Sequence, residues 1–385
     1  MIRIFLHTQH TLSCANFVYL SRHHLSTIIM ANLPPELIPF IIPDHATSLA
    51  LTLVNKSYNG IVTPILYREV HLEQVQAIEA FSKTMMTGRP ILCEYPMLLD
   101  LTYNWPGWVL SDLPYFLVPE ITQILMHVPN LTSLRLSVEQ SMAEYLTEKP
   151  QFPFKLRRLA MMPINDASFI NFLKTQPEIE EVSFWVDDED SEYRWSVDPT
   201  PLQPNILPNL KWIQSDSNTI SIIVPHRPVA YVHIIETLHD LEVHREIAKS
   251  LVPLKHLTER IELWEYPWES GIVSRCLPSL KFCWYSLTTY SLQISGNFPG
   301  SGLPKAELLL KERDTPSHGL EILRNSLSTF TTLKKFSLIY WDYSPQRFSP
   351  EFCRAIPELS RFDVWQESCP SLEEVTLFRI TLKKA

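Results

Sequence analysis

Pro129-Asn130-Leu131-Thr132-Ser133-Leu134-Arg135-Leu136 is one statement of a phrase that returns through most of the chain. The phrase runs proline, any residue, Leu or Ile, two residues, an apolar residue, one residue, an apolar residue. Clear copies are Pro177-Glu178-Ile179-Glu180-Glu181-Val182-Ser183-Phe184 and Pro370-Ser371-Leu372-Glu373-Glu374-Val375-Thr376-Leu377. Weaker ones start at Phe154, Pro208, Pro278 and Thr332. The closing alternation is that of a short strand with one buried face. Helical patterning precedes several copies: Ile121, Ile124, Leu125 and Val128 fall at i, i+3, i+4, i+7, and Phe169, Phe172 and Leu173 repeat the pattern, with Asn165 or Asp166 as its cap. Each helix then meets a proline, which cannot continue it, and the chain turns into a strand.

One helix and one strand cannot bury an apolar face alone, so stacked units must share a core, which is the logic of an α/β solenoid. The Leu-x-x-Leu-x-Leu core of the phrase resembles leucine-rich repeats, although the Asn or Cys expected two or three residues later is missing. The anchors Leu131, Leu156, Ile179, Leu210, Leu280, Leu333 and Leu372 are 25, 23, 31, 70, 53 and 39 residues apart, mostly wider than the roughly 20–29 of that family. The gap of 70 implies one or two degenerate units, near Tyr231-Val232-His233-Ile234 and near Arg260-Ile261-Glu262-Leu263. The reading is an irregular horseshoe over residues 73–385, strands inside and helices outside.

Composition limits the function classes. With a net charge of −9 and no cluster of Lys and Arg, the chain lacks the footprint of a nucleic-acid binder. No apolar run approaches the ~20 residues of a membrane-spanning helix. Six scattered cysteines form no paired spacing of the zinc-site kind, and eight glycines against 31 prolines disfavour phosphate-cradling loops. Walker, G-x-G-x-x-G, G-x-S-x-G and H-E-x-x-H motifs are absent. His239 and His244 stand five apart, off a common helical face, and Asp187-Asp188-Glu189-Asp190-Ser191-Glu192 lacks the glycine and alternation of a calcium loop. Neither a metal nor another cofactor is expected.

Ahead of the array, residues 32–72 read NLPPELIPFIIPDHATSLALTLVNKSYNGIVTPILYREVHL. Pro35 suits a first helical position, with Glu36 in the favourable first turn. Leu37, Phe40 and Ile41 follow on one face; Leu49, Leu51, Leu53 and Val54 form a second apolar set, and Ile61, Val62, Ile65 and Leu66 a third. Three short helices of this kind expose more apolar surface than they can cover, so a partner groove is physically sensible. The segment resembles an F-box, through Leu33-Pro34-x-Glu36-Leu37, Ile41-Ile42, Leu53-Val54-x-Lys56-x-Tyr58 and Leu66-Tyr67-Arg68, with Tyr58 where that family often has Trp. Pro39 inside the first helix and Pro43 at its end depart from the family pattern. The order of an F-box and a leucine-rich array looks like the fungal F-box and leucine-rich-repeat proteins.

That resemblance implies a substrate-recognition subunit of an SCF-type cullin-RING ubiquitin ligase, with no catalysis of its own, in cytoplasm or nucleus. Residues 31–72 form a three-helix F-box-like domain whose Leu33, Pro34, Leu37, Ile41, Leu49, Leu53, Val54, Tyr58 and Leu66 meet the adaptor, and the cullin through it. Strand alternation leaves Arg135, Arg158, Trp185, Gln214, Trp284, Lys335 and Glu374 on the concave face toward an unknown target protein, with Ser133, Ser183, Phe282, Ser337 and Thr376 beside them. The other reading is a non-catalytic leucine-rich-repeat scaffold without ligase attachment. Residues 1–30 carry no acidic residue and read as an N-terminal extension starting ahead of Met30, or as a mitochondrial transit peptide.

Overall fold

A computed structural model describes residues 2–3, 48, 52–53, 56–102, 115–137, 145–146, 152–162, 167–184, 202–237, 242–261, 276–277, 280, 282–287, 318–340, 350–378 and 380–384. The chain is α/β and divides into two compact units, Met1–Ile179 and Glu180–Ala385.

In the first unit, strands β1 (Ile2–Arg3), β2 (Glu69–His71), β3 (Leu98–Leu101), β4 (Ser133–Leu136) and β5 (Arg158–Met161) pair in chain order, all parallel. Parallel neighbours need a crossover between them. Helix α1 (Lys56–Arg68) leads into β2, and α2 (Val75–Thr87) and α3 (Val118–His127) fill the next two crossovers. Helix α2 buries Ile78, Phe81 and Met85; α3 buries Ile121, Ile124 and Leu125. Helix α4 (Ala167–Thr175) buries Phe169, Phe172 and Leu173, as the spacing predicts, while Asn165 and Asp166 lie outside the described residues. Phe152 stacks on Phe154 at 5.2 Å and meets Phe172 edge-on at 6.1 Å.

The second unit continues the same grammar. Strands β6 (Glu181–Phe184), β7 (Trp212–Ser215), β8 (Tyr231–Thr237), β9 (His256–Ile261), β10 (Phe282–Leu287), β11 (Lys335–Tyr340) and β12 (Glu374–Leu377) are parallel and in chain order, and β13 (Ile380–Lys383) folds back antiparallel on β12. The seven copies of the phrase lead into β4, β5, β6, β7, β10, β11 and β12. The gap of 70 residues holds two further strands, β8 and β9, the second starting four residues ahead of Arg260.

A recurring hydrogen-bond pattern explains the phrase. The N–H of Leu131 closes a turn on the carbonyl of Val128, and Ile179 on Gln176, Leu210 on Leu207 and Leu372 on Cys369 do the same, at 3.0 to 3.4 Å. Proline is the second residue of each of these turns, where its fixed φ suits the geometry and no N–H is needed. The Leu or Ile that ends the turn is an anchor, and none of the seven anchors is more than 1% exposed. The next carbonyl accepts two N–H groups of the following unit. Thr132 takes those of Arg157 (2.7 Å) and Arg158 (3.0 Å), Glu180 those of Lys211 (2.8 Å) and Trp212 (3.1 Å), and Lys334 those of Glu373 (2.7 Å) and Glu374 (3.1 Å). Met97, Lys211 and Ala230 repeat the arrangement.

Side chains add links between successive units. The Gln176 amide oxygen accepts the N–H of Leu156 at 2.9 Å, Cys369 donates to the carbonyl of Phe330 at 3.3 Å, and Ser371 donates to that of Leu333 at 2.8 Å. The densest of these contacts belongs to Arg227, which is fully buried. Its Nε donates to the carbonyl of Ile206 (2.7 Å), Nη1 to those of Ile223 and Pro225 (3.0 Å), and Nη2 to those of Leu202 (3.0 Å) and Gln203 (2.7 Å). All five guanidinium donors are thus used. With no carboxylate among these acceptors, burial lowers the Arg227 pKa to about 10. Helix α5 (Ser217–Ile223), which contributes the Ile223 carbonyl, is capped by Asp216, whose Oδ1 accepts the N–H of Thr219 at 2.9 Å.

Lysine offers three donors in place of five. Arg227→Lys is therefore expected to lower stability by on the order of 3 kcal/mol by stranding buried carbonyls. Asp216→Ala should cost about 1 kcal/mol through its cap. Urea unfolding of the second unit, followed by tryptophan fluorescence, ranks the two.

Candidate protein-interaction surface

Along β4, β7 and β12 one set of side chains is buried and the alternate set is not: Leu134 and Leu136 against Ser133 and Arg135, Ile213 and Ser215 against Trp212 and Gln214, Val375 and Leu377 against Glu374 and Thr376. Parallel register aligns the alternate set into rows that cross the strands.

In the first unit, Glu69, Leu98, Ser133 and Arg158 form one row; His71, Asp100, Arg135 and Ala160 form the next. A cleft of about 950 Å³ opens over the first row and the strand entries, lined among others by Arg68, Glu69, Glu94, Lys155, Arg157 and Arg158. In the second row, His71 Nδ1 lies 3.2 Å from Asp100 Oδ2 and Arg135 Nη1 lies 3.9 Å from the same oxygen. Asp100 is 9% exposed, and its Oδ1 is buried without a hydrogen-bond partner.

The second unit carries two longer rows. Glu181, Trp212, Tyr231, His256, Phe282, Lys335, Glu374 and Lys383 occupy consecutive register positions in one. Ser183, Gln214, His233, Thr258, Trp284, Ser337, Thr376 and Thr381 occupy the other. Tyr231 is 40% exposed, and its ring centroid lies 6.2 Å from that of His256. Glu374 is shared between Lys335 at 3.6 Å and Lys383 at 3.2 Å. The first row is therefore aromatic over β7 to β9, with Phe282 in the next position, and charged beyond it.

The residues expected toward a target fall as follows. Arg135 and Arg158 are exposed on adjacent strands in different rows, Gln214 is half-buried in the second row, and Lys335 and Glu374 are neighbours in the first. The Trp284 backbone sits between Thr258 and Ser337, and Trp185 lies outside the described residues. On the adaptor side, Leu33, Pro34, Leu37, Ile41, Leu49 and Val54 also lie outside them. Leu53 is 82% exposed, whereas Tyr58 and Leu66 are buried with Val62 along one face of α1.

Behind the sheet, His244 on helix α6 (Glu242–Ile247) meets Glu259 of β9 at 2.9 Å, both fully buried. His244 Nδ1 and Glu259 Oε1 have no hydrogen-bond partner. Sequence reasoning missed this pair, and strand alternation could have found it, because Glu259 shares a face with the buried Leu257. His239 and the acidic run Asp187–Glu192 lie outside the described residues, and among the described residues no three His, Cys, Asp or Glu side chains converge to hold a metal. The expected degenerate units fall on the strands of Tyr231 and His256, but sequence reasoning did not read these two residues as outward-facing, because no full copy of the phrase sets the register there.

No protein-family model matches the chain, and no curated protein is similar to it in sequence.

Burial holds His256 below the usual histidine pKa. The unfolded chain then binds the proton more readily, so His256 contributes a loss of stability as pH falls below about 6.5. Thermal midpoints at pH 7.5 and pH 5 should differ more in the wild type than in His256→Gln, and equal differences would remove His256 from the pH response.

Proposed function

We propose that this chain is a substrate-recognition subunit of an SCF-type cullin-RING ubiquitin ligase. Residues 31–72 act as an F-box-like module that docks the adaptor, and the array that follows is an irregular leucine-rich-repeat-like solenoid whose open strand face holds a target protein. The observation that carries the reading is the open face of the second unit. Chain-ordered parallel strands align two rows of register positions there, and Trp212 and Tyr231 are of the residue types that anchor protein interfaces. The segment ahead of the array supplies the F-box-like residues. The exposed Leu53 is consistent with a docking edge, and Tyr58, Val62 and Leu66 then hold α1 against its own unit.

In this reading the protein supplies no bond chemistry; it brings the target within reach of the attached ligase, so the rate gain is one of proximity. No helix among the described residues is long and apolar enough to cross a membrane, which accords with a cytoplasmic or nuclear place of work. The buried His244–Glu259 pair lies behind the sheet with no exposure, so it plays no part at the open face.

The second reading, a leucine-rich-repeat scaffold without ligase attachment, uses the same open face. A pull-down of the full chain against the adaptor separates the two, read for adaptor and cullin together, beside the double variant Leu33→Ala/Leu37→Ala. Capture of both by the wild type, reduced at least tenfold in the double variant, is the expected result. Absence of capture by a folded wild type favours the scaffold.

A further inference from the structure

Two strand spacings in a sheet measure about 9.4–9.8 Å, and one turn of a polyproline II helix, three residues at about 3.1 Å, measures about 9.3 Å. This near-equality matters on the open face of the second unit. Trp212, Tyr231 and His256 stand side by side in one row, one per strand, and Phe282 holds the next position. Alternate members of the row, Trp212 with His256 and Tyr231 with Phe282, are two strands apart. A polyproline II segment lying across the strands would therefore bring the same edge over alternate aromatic positions once per turn.

The surrounding chemistry agrees. A polyproline II backbone makes no hydrogen bonds of its own, so its carbonyls need donors when it is bound. The Trp212 indole N–H, the Tyr231 hydroxyl and the Gln214 amide can donate, and Tyr231 is 40% exposed. The neighbouring row runs through Ser183, Gln214, His233, Thr258, Trp284, Ser337 and Thr376 and holds no carboxylate, lysine or arginine. The stripe carries little charge of its own but is bounded by it, with Glu181 before Trp212 and Lys335 after Phe282. Lys335 and Lys383 share the single carboxylate of Glu374, which leaves that end positive. From Glu181 to Lys335 the row crosses five strand spacings, about 24 Å. A polyproline II segment covers that length in about eight residues.

We propose that the open face of the second unit binds a proline-rich segment of a partner protein in the polyproline II conformation, laid across strands β6 to β11, with a basic residue toward Glu181 and an acidic one toward Lys335. The inference rests on the open face being the recognition surface of the proposed receptor, and names what that surface recognises. Aromatic-lined grooves favour such segments because the ligand is already extended and loses little conformational freedom on binding.

The test is a fluorescence-anisotropy titration of the full chain, without adaptor, with a labelled nine-residue peptide Lys-Pro-Pro-Leu-Pro-Pro-Leu-Pro-Glu. The same peptide with every proline replaced by glycine, and unlabelled cellohexaose as a competing stacking ligand, are run beside it. Saturable binding is expected, at least fivefold weaker for the glycine peptide. It should be at least tenfold weaker in Trp212→Ser and in Tyr231→Ser, and unchanged in Arg245→Ser on the helical side. Thermal midpoints of the variants establish that they fold, and the glycine peptide tests the idea on the unaltered protein. Absence of saturable binding, equal affinity for the glycine peptide, displacement by cellohexaose, or full affinity in both aromatic variants would overturn the proposal. Because no adaptor is present, failure here leaves ligase attachment untouched, and failure of adaptor capture leaves this titration intact.

Discussion

One carbonyl that accepts two N–H groups at the entrance to a strand sets the rest of each unit. The oxygen of Thr132 holds both Arg157 and Arg158, and that of Lys211 holds both Ala230 and Tyr231. A strand gripped at two consecutive amides cannot slip by one residue, and a slip of one would turn its buried face to water. Fixed register then brings unlike residues from distant parts of the chain into rows: Trp212 beside Tyr231 beside His256, and Lys335 beside Glu374 beside Lys383. The composition of the open face is thus a consequence of how the strands begin.

Burial behind the rows includes ionisable groups. His244 faces Glu259 at 2.9 Å, and Arg324 lies 3.9 Å from Glu358, each pair leaving polar atoms without a partner. Desolvation of such groups cancels much of their mutual attraction, so they contribute little net stability, yet removing one member strands the other. Their effect is on which packing is tolerated. Helix α6 can sit on β9 only where His244 meets Glu259, just as Trp365 must donate to the Glu358 carbonyl at 2.7 Å while stacking on Phe336.

Much of this order was legible in the sequence, and the places where it was not have physical reasons. Proline two residues ahead of a Leu or Ile announces the strand in five copies of the phrase, and the anchor with its following alternation does so in the two that start at Phe154 and Thr332. Strands β8 and β9 escape the phrase because their prolines, Pro228 and Pro253, stand directly before the buried Val229 and Leu254 instead of two residues ahead. The carbonyl grip survives that shift, since it needs only backbone. Periodicity likewise groups Ile61, Val62, Ile65 and Leu66 but does not say which of them are covered; Val62 and Leu66 are buried, together with Tyr58 one turn earlier. Arg227 gives no periodic signal, because its acceptors are carbonyls that any residue can supply. The rows of the open face were half legible: alternation identifies which residues point outward, but adjacency across parallel strands whose paired residues stand 19 to 53 apart in the chain emerges only from register.

The cage around Arg227 has a bearing on where the protein can work. Its five contacts join residues 202, 203 and 206 to 223 and 225, closing a loop of chain that in many proteins a disulfide would close. Cys93, Cys276, Cys353 and Cys369 are all free thiols. A guanidinium cross-link of this kind neither needs an oxidant to form nor yields to a reductant, so this segment keeps its shape across changes of redox poise that would open a sulfur bridge.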